Sequence, residues 1–540
     1  MKSRMGGFMK EERLCLIPYP KRVIRTGGWC ENTGNPVVKE QQEENSPEGY
    51  RLEITQEGIL LCGMPAGIFY GKETLRQLRD QFGDRLPCMI ILDAPEFSYR
   101  GFMLDSSRHF LPVEDIKRLL DAAALLKLNK FHWHLVDDQG WRVEIRKYPK
   151  LTEAGAKRKR AEFARLSMTE PEETHDFFTQ EEIREIVDYA AERFIDVVPE
   201  LEIPGHESAL LAAYPEYGCR GTDPADRRVQ ITGGIFRDIL CAGREETVSF
   251  LKDILDEYME LFPYSYLHLG GDEAVKEHWR SCPLCQNKMR ELGLPDENAL
   301  QQWLVRTMAE YLEEKGRHAV VWNDVLRGEK LSSGVAVQVW LGDRDLVREF
   351  TKRGGRIIQS STEACYLDYP YSSIDVRKLL DFDPVPDYLK QNAQQVWGME
   401  CPLWTERVPD LERAAYLLFP RLPAMAEKAW TGACGTTAAL EHAPDENRKE
   451  GDGGQEEVRG EEQKKDDRYQ SFRDRYRILQ RELMELGLSG VPEKYWNMTP
   501  EDAAEDRREW EEMGDTPFLV GFRREEEALL ERERAVYGRF

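Results

Sequence analysis

The stretch SYRGFMLDSSRHFLPVEDIKRLLDAAALLKLNKFHWHLV, residues 98–136, decides the fold. A short apolar strand, Tyr99–Asp105, ends on an acid; a helix, Val113–Leu126, follows; a second strand, Lys130–Val136, comes next. The same rhythm repeats downstream. It predicts strands at Asp196–Leu201, Tyr266–Gly270, Ala319–Asn323, Ala336–Trp340, Arg356–Gln359 and Gln395–Met399. Helices predicted at Gln180–Phe194, Thr247–Leu261, Glu297–Lys315 and Val408–Trp430 fill the gaps. Eight strands alternating with helices over about 330 residues point to an α/β fold, a (β/α)8 TIM barrel. The competing doubly wound open sheet usually carries a glycine fingerprint after its first strand, and Asp105-Ser-Ser-Arg-His-Phe is not one.

Outward from the barrel, residues 98–432, lie two further regions. Residues 1–97 read as a small α/β domain. Tyr50–Thr55 alternates with period two, Gly58–Cys62 is a second strand, and Gly67–Leu78 turns helical. Residues 27–49 are polar and read as a surface loop. Residues 433–540 read as a charged linker and a helical C-terminal appendage. Asp445–Asp467 is nearly devoid of large apolar residues, while Tyr469–Leu488 regains helical spacing through Tyr476, Leu479, Leu483 and Leu486. No chemistry is visible there.

The composition bounds the function. The chain has 540 residues, 41% of them hydrophobic and 32% charged, with apolar mass for a large core. A net charge of −24 repels phosphate backbones and anionic surfaces, so neither nucleic acid nor a membrane is an expected partner. No run reaches the roughly 18–20 apolar residues a membrane span needs. Lys10, Glu11, Glu12 and Arg13 interrupt any export signal, so a cytoplasmic location is expected. The eleven cysteines are scattered and odd in number. The one close pair, Cys282-Pro-Leu-Cys285, has no second CxxC or HxxxH to complete a zinc ribbon. The expectation is therefore structural thiols, with no metal site and no cofactor.

Polar residues at the C-terminal strand ends line a barrel's active site. Here those ends carry Asp105, Asp137-Asp138, Glu200 and Glu202, Asp272-Glu273, Asn323-Asp324, Trp340 and Glu400. The loop from Asp138 to Thr179 is expected to cover one side. In Tyr266-Leu-His-Leu-Gly-Gly-Asp-Glu-Ala274, an apolar strand runs into two glycines and then two acids. Curvature at Gly270 and Gly271 can bring both carboxyls to one cavity, where crowding splits their affinities for a proton. That suits a general acid beside an electrostatic stabiliser; a capped helix start is the other reading. Trp322, Trp340, Trp397 and Trp404 sit at or just beyond strand ends. Tryptophan is common in cores, but several at one barrel face suit stacking on sugar C–H faces.

Seven motifs now stand in order. They are Tyr99-Arg-Gly-Phe-Met-Leu-Asp-Ser-Ser-Arg-His109, Phe131-His-Trp-His-Leu-Val-Asp-Asp138, Pro199-Glu-Leu-Glu-Ile-Pro-Gly-His206, His268-Leu-Gly-Gly-Asp-Glu273, Val321-Trp-Asn-Asp324, Tyr366-Leu-Asp368 and Leu403-Trp-Thr-Glu406. Through them, over roughly residues 48–432, the chain resembles the β-N-acetylhexosaminidases of glycoside hydrolase family 20. The resemblance implies an exo-acting hydrolase of terminal β-linked N-acetylglucosamine or N-acetylgalactosamine, with N-acetylhexosamine-containing oligosaccharides or glycoconjugates as partners. It also implies substrate-assisted retention, in which the substrate's acetamido oxygen attacks the anomeric carbon and an oxazolinium intermediate forms.

By the same resemblance, Glu273 matches the general acid/base and Asp272 the group that holds the acetamido N–H. Tyr366 matches the hydroxyl that aims the acetamido oxygen, and Trp322, Trp340 and Trp404 an aromatic box around the acetamido methyl. Arg100, Asp137, Asp368 and Glu406 match positions that bind sugar hydroxyls. His206 with Glu202 matches a pair that supports the catalytic acid. Simpler roles remain open from the residues alone: Arg100 can bridge strand ends, and His132 and His134 can be packed histidines. The functional alternative is a catalytically silent sugar-binding barrel. A retaining glycosidase with its own nucleophile is a third.

Overall fold

The computed structural model describes residues 13–31, 33–44, 46–163, 171–219, 227–328, 331–432 and 461–513. Eight parallel strands close a barrel. In chain order they are Tyr99–Asp105, Lys130–His134, Asp196–Glu200, Tyr266–His268, His318–Trp322, Ala336–Val339, Ile357–Gln359 and Val396–Leu403, the last pairing back onto the first. All eight anticipated strands are present. The fourth stops at His268 rather than Gly270, because Gly270 leaves the extended region (φ 57°). The predicted helix Val408–Trp430 divides into Leu411–Leu418 and Arg421–Thr431 at Pro420, whose ring cannot continue a helix.

The N-terminal domain is a five-stranded sheet in the spatial order Arg22–Cys30, Leu86–Asp93, Tyr50–Thr55, Gly58–Gly63, Val37–Glu40. Helix Pro65–Phe82 covers one face with Tyr70, Leu75 and Leu78. A Cβ at Gly71 would lie 2.4 Å from Leu61, so glycine sets how closely the helix can lie. One strand falls inside the stretch expected to be a loop, residues 27–49, and another runs into its start. Val37–Glu40 is an edge strand exposed along its length, and most of Arg22–Cys30 is exposed too, so neither needed an apolar alternation to betray it.

The C-terminal helix Glu461–Glu485 begins inside the charge-dense run; the expectation for residues 445–460 lies outside the described residues. Its apolar side is not an appendage. Tyr469, Phe472, Tyr476, Leu479 and Leu483 are buried in the barrel's own hydrophobic cluster. Arg475 and Glu427 form a fully buried ion pair that joins this helix to the last barrel helix.

Arg100 belongs to the interface between the two domains. It lies near the start of the first strand, at the end of the barrel away from the loops, and is fully buried. Its guanidinium donates to Glu48 (2.7 Å), to the Phe97 carbonyl (2.8 Å) and to the Lys127 carbonyl (2.9 Å), and it faces the Trp430 ring at 5.0 Å. Arg100→Ala is expected to lower stability by about 3–5 kcal/mol, the range for removing one partner of a buried ion pair, and to leave the KM of the folded fraction unchanged. Chemical denaturation alongside steady-state kinetics checks this; a raised KM with intact stability would contradict it.

Candidate active site

The bend after the fourth barrel strand builds the site. Gly270 and Gly271 have φ of 57° and 103°. A Cβ at Gly270 would fall 1.8 Å from Glu202 Oε2, and one at Gly271 would fall 2.5 Å from Val325 Cγ2. Glycine is required at both, by space as well as by backbone angle. Gln301, itself buried, donates to the Gly271 carbonyl (2.7 Å) and pins the bend. Glu273 then takes a left-handed conformation (φ 46°), uncommon for a residue with a Cβ and typical of functional turns. Asp272 and Glu273 thereby face one pocket.

His206, also left-handed (φ 53°), closes the site from the loop after the third strand. Its Nε2 lies 3.4 Å from Glu273 Oε2 and 3.7 Å from Asp272 Oδ2. Its Nδ1 lies 3.1 Å from Asp138 Oδ2 and 3.3 Å from Asp137 Oδ1. Asp138 is fixed in turn by the Ser208 backbone N–H (2.9 Å) and hydroxyl. Burial favours the neutral ring, but Asp137, Asp138 and Glu273 outweigh it and hold His206 as the cation well above its ordinary range. Burial lifts the Glu273 carboxyl, partly offset by His206. Burial lifts Asp272 strongly, and Glu273 and Asp324 add to that against His206. Protons therefore come off this pair as a unit, with proton retention extended toward neutral pH.

The expected partnership of His206 with Glu202 is not what the fold makes. Asp137 and Asp138 hold the imidazole, while Glu202 lies beneath the glycine bend. Neither of its carboxyl oxygens has a hydrogen-bond partner among the described residues, and the nearest imidazole nitrogen, His134 Nδ1, is 3.9 Å away. Burial, then the charges of Asp272 and Glu200, drive Glu202 well above its ordinary carboxylate range.

The pocket brings together most of the predicted residues. Asp137, His206, Asp272, Glu273, Trp340, Tyr366, Asp368, Trp404 and Glu406 all line it. Trp340 and Tyr366 face each other with centroids 6.4 Å apart and rings 27° from parallel; Trp404 is 6.5 Å from Tyr366. Asn323 and Asp324 set Trp340: Asn323 Oδ1 accepts from its backbone N–H (3.0 Å) and Asp324 Oδ2 from its indole (2.8 Å).

Two expected residues lie elsewhere. Arg100 is in the domain interface described above, and Arg108 lines the pocket in its place. Arg108 is gripped by Asp137 (2.7 Å), Gln139 (2.8 Å) and Asp105 (3.2 Å), and its guanidinium sits 5.0 Å over the Trp404 ring. Both arginines stand in the same motif, and only the fold separates the arginine at the start of the strand from the one just past its end. Trp322 is buried below the pocket, donating its indole N–H to Glu200 (2.8 Å). Glu200 and Glu400, expected at the mouth, are likewise fully buried. Glu200 holds His132 (3.1 Å), His134 and His268 (2.8 Å), and Glu400 holds His132 (2.8 Å), Gln338 (2.7 Å) and Tyr99 (2.6 Å). The two carboxylates overcome burial to raise His132 to about 10, so the barrel interior is an ion-paired network that carries the pocket floor.

Arg407, Tyr369 and Trp510 also line the pocket and were not anticipated. Trp510 comes from the C-terminal helix Pro500–Glu512, more than a hundred residues after Glu406, and the Arg407 guanidinium lies 4.0 Å from its ring. Asp506 on the same helix accepts from the Ser372 backbone N–H (2.7 Å).

Comparison with known proteins agrees with this geometry. Residues 97–433 match the family model "Glycosyl hydrolase family 20, catalytic domain", and residues 16–94 match its domain 2. A β-hexosaminidase of Porphyromonas gingivalis is 38% identical over 406 residues, covering 71% of this chain but 51% of that protein. One from Akkermansia muciniphila is 34% identical over 400 residues, covering 71% of this chain and 79% of that protein. The chain thus spans about half the length of the first relative and about four-fifths of the second. Among solved structures, a β-N-acetylhexosaminidase superposes with a TM-score of 0.73 at 30% identity, over 88% of this chain and 96% of the other. An exo-β-N-acetylglucosaminidase of Vibrio harveyi, in complex with N-acetylglucosamine, superposes at 0.72 with 26% identity, over 89% of this chain and 79% of that one. The chain belongs to glycosyl hydrolase family 20.

Glu202 gives a test of the site's electrostatics. Its raised carboxyl keeps a proton in the folded state that the unfolded chain releases above about 4.5. Glu202's contribution to folding stability therefore falls as pH rises above that value, by up to about 1.4 kcal/mol per pH unit. Glu202→Gln removes this term, so its melting temperature is expected to gain on the wild type from pH 5 to pH 8. A difference independent of pH would contradict the assignment.

Proposed function

We propose that the protein is an exo-acting β-N-acetylhexosaminidase that removes terminal β-linked N-acetylglucosamine, or N-acetylgalactosamine, with substrate-assisted retention. One observation carries this reading: Asp272 Oδ1 is a buried acceptor without a hydrogen-bond partner among the described residues, on a pocket walled by Trp340, Tyr366 and Trp404. An amide N–H satisfies such an acceptor, and a methyl group suits the indole walls beside it. An acetamido arm held there folds back on its own anomeric carbon. Orientation of that kind can supply about 7–11 kcal/mol of the barrier.

Glu273, with its raised affinity for a proton, protonates the leaving oxygen and later takes a proton from the attacking water. The cationic His206 at 3.4 Å steadies its charged form between those steps. Asp272, in its ionised form, offsets the positive charge that grows on the ring and the acetamido group. Arg108, held by three partners, and Glu406 and Asp368 line the pocket and offer donors and acceptors to sugar hydroxyls. The substrate class follows as N-acetylhexosamine-containing oligosaccharides or glycoconjugates. We propose a cytoplasmic location, with which the absence of disulfides among the described cysteines is consistent; recovery of active protein outside the cell would overturn it.

The direct assay is hydrolysis of nitrophenyl β-N-acetylglucosaminide beside nitrophenyl β-glucoside, which lacks the acetamido arm. Turnover of the first and none of the second is expected; no turnover of either, with tight binding of N-acetylglucosamine, would make the barrel a silent binder. Glu273→Gln is expected to lower kcat about 10²–10⁴-fold, and an undiminished rate would contradict its role. Trp510→Ala is expected to raise KM more than it lowers kcat, because it removes a wall of the pocket and no reacting group.

A further inference from the structure

Four cysteines converge away from the pocket. Cys219 follows the turn Pro215–Tyr217, Cys241 precedes helix Glu245–Leu261, and Cys282 and Cys285 open helix Pro283–Leu292. All four are buried and none is in a disulfide, and their sulfurs lie within 4.8 Å of one another. Three of the separations are 3.7 Å (Cys241–Cys285), 3.8 Å (Cys241–Cys282) and 3.9 Å (Cys219–Cys285). A disulfide needs its sulfurs about 2.05 Å apart, so these are unbonded thiols. A tetrahedral ion with metal–sulfur bonds of about 2.3 Å sets its ligands about 3.8 Å apart, which is the spacing found. Sulfurs this close leave room for one ion among them and none for a multi-iron cluster.

We propose that Cys219, Cys241, Cys282 and Cys285 bind a single structural zinc ion. Four protein thiolates close the coordination sphere, so the ion takes no part in the glycosidase reaction. Uptake of Zn²⁺ by the four thiols releases their protons. The backbone around the sulfurs is packed for the purpose. A Cβ at Gly243 would lie 2.1 Å from the Leu284 carbonyl carbon and 2.3 Å from the Cys285 nitrogen, so the Cys241 turn rests directly on the Cys282–Cys285 turn. The Cys241 N–H donates to the Tyr217 carbonyl (2.8 Å), and the Leu240 N–H to the Pro204 carbonyl (3.0 Å).

The ion would clamp the two loops that build the active site. Cys219 and Cys241 belong to the excursion that carries His206, and Cys282 and Cys285 to the one that carries Asp272 and Glu273. Those loops already touch near the pocket, where a Cβ at Gly205 would lie 3.3 Å from the Asp272 carbonyl. Cys282-Pro-Leu-Cys285 is half of the ligand set. The sequence separates the other half by more than forty residues, so no ribbon spacing exists to reveal it.

The test is metal content of the full chain, purified without chelator from zinc-supplemented cells. Elemental analysis is expected to find about one zinc per chain, released as an organomercurial titrates four thiols, and a tetrathiolate cobalt spectrum after exchange. Cys282→Ser with Cys285→Ser is expected to lose the zinc, while Cys15→Ser keeps it. The wild-type measurements stand even if the double variant fails to fold. Wild-type protein without zinc, with iron instead, or with disulfides among these cysteines would overturn the proposal, as would zinc retained in the double variant. None of these readouts depends on glycosidase activity, so the proposal and the proposed function fail separately.

Discussion

Two carboxyl groups that would repel each other in water are held in one pocket by a bend that only glycine can make. Gly270 and Gly271 lie against Glu202 and Val325 with no room for a side chain, and their left-handed angles turn Asp272 and Glu273 into the cavity. His206, made cationic by Asp137 and Asp138, bridges those carboxylates to Asp272 and Glu273. His206 is the group that opposes the upward shift burial imposes on both acids. Every further element of the site is placed relative to this one.

Beneath it, the barrel interior is polar. Glu200 and Glu400 bind a set of imidazoles, and Trp322 hangs from Glu200 by its indole N–H. A network in which each charge has a partner is stiff, because any movement leaves a buried ion exposed to a low dielectric. Above it, Trp340 is oriented by Asn323 and Asp324, and Arg108 by Asp105, Asp137 and Gln139. The pocket is thus a layer of substrate-facing groups resting on a layer of groups that exist to position them. The C-terminal helices join this design, since one lies in the barrel core and the other supplies Trp510.

The barrel was legible because each strand is a short apolar run ending in polar residues, and the period changes between strand and helix. The acid pair and its glycines were legible for the same reason: adjacent residues share a fate that spacing can show. What the sequence hid are contacts made across the chain. Arg100 and Arg108 differ only in which end of one strand they occupy. Glu200 and Glu202 differ in whether histidines or nothing meet their oxygens. Trp510 and the cysteine partners of Cys282 and Cys285 reach their places through the closure of the fold, and no local pattern records that. The exposed strands Val37–Glu40 and Arg22–Cys30 escaped because sheet edges bury too little to leave an apolar signature.

The central claim is that the pocket folds the substrate's own amide onto its reacting carbon. A crystal structure with a thiazoline analogue of the bicyclic intermediate tests it most directly. The account predicts the ring nitrogen within hydrogen-bond distance of Asp272, the methyl group between Trp340 and Trp404, and Glu273 facing the anomeric carbon. A ligand whose amide-derived ring points into bulk solvent, or a fluorosugar trapped as an ester on a side chain of this pocket, would contradict it.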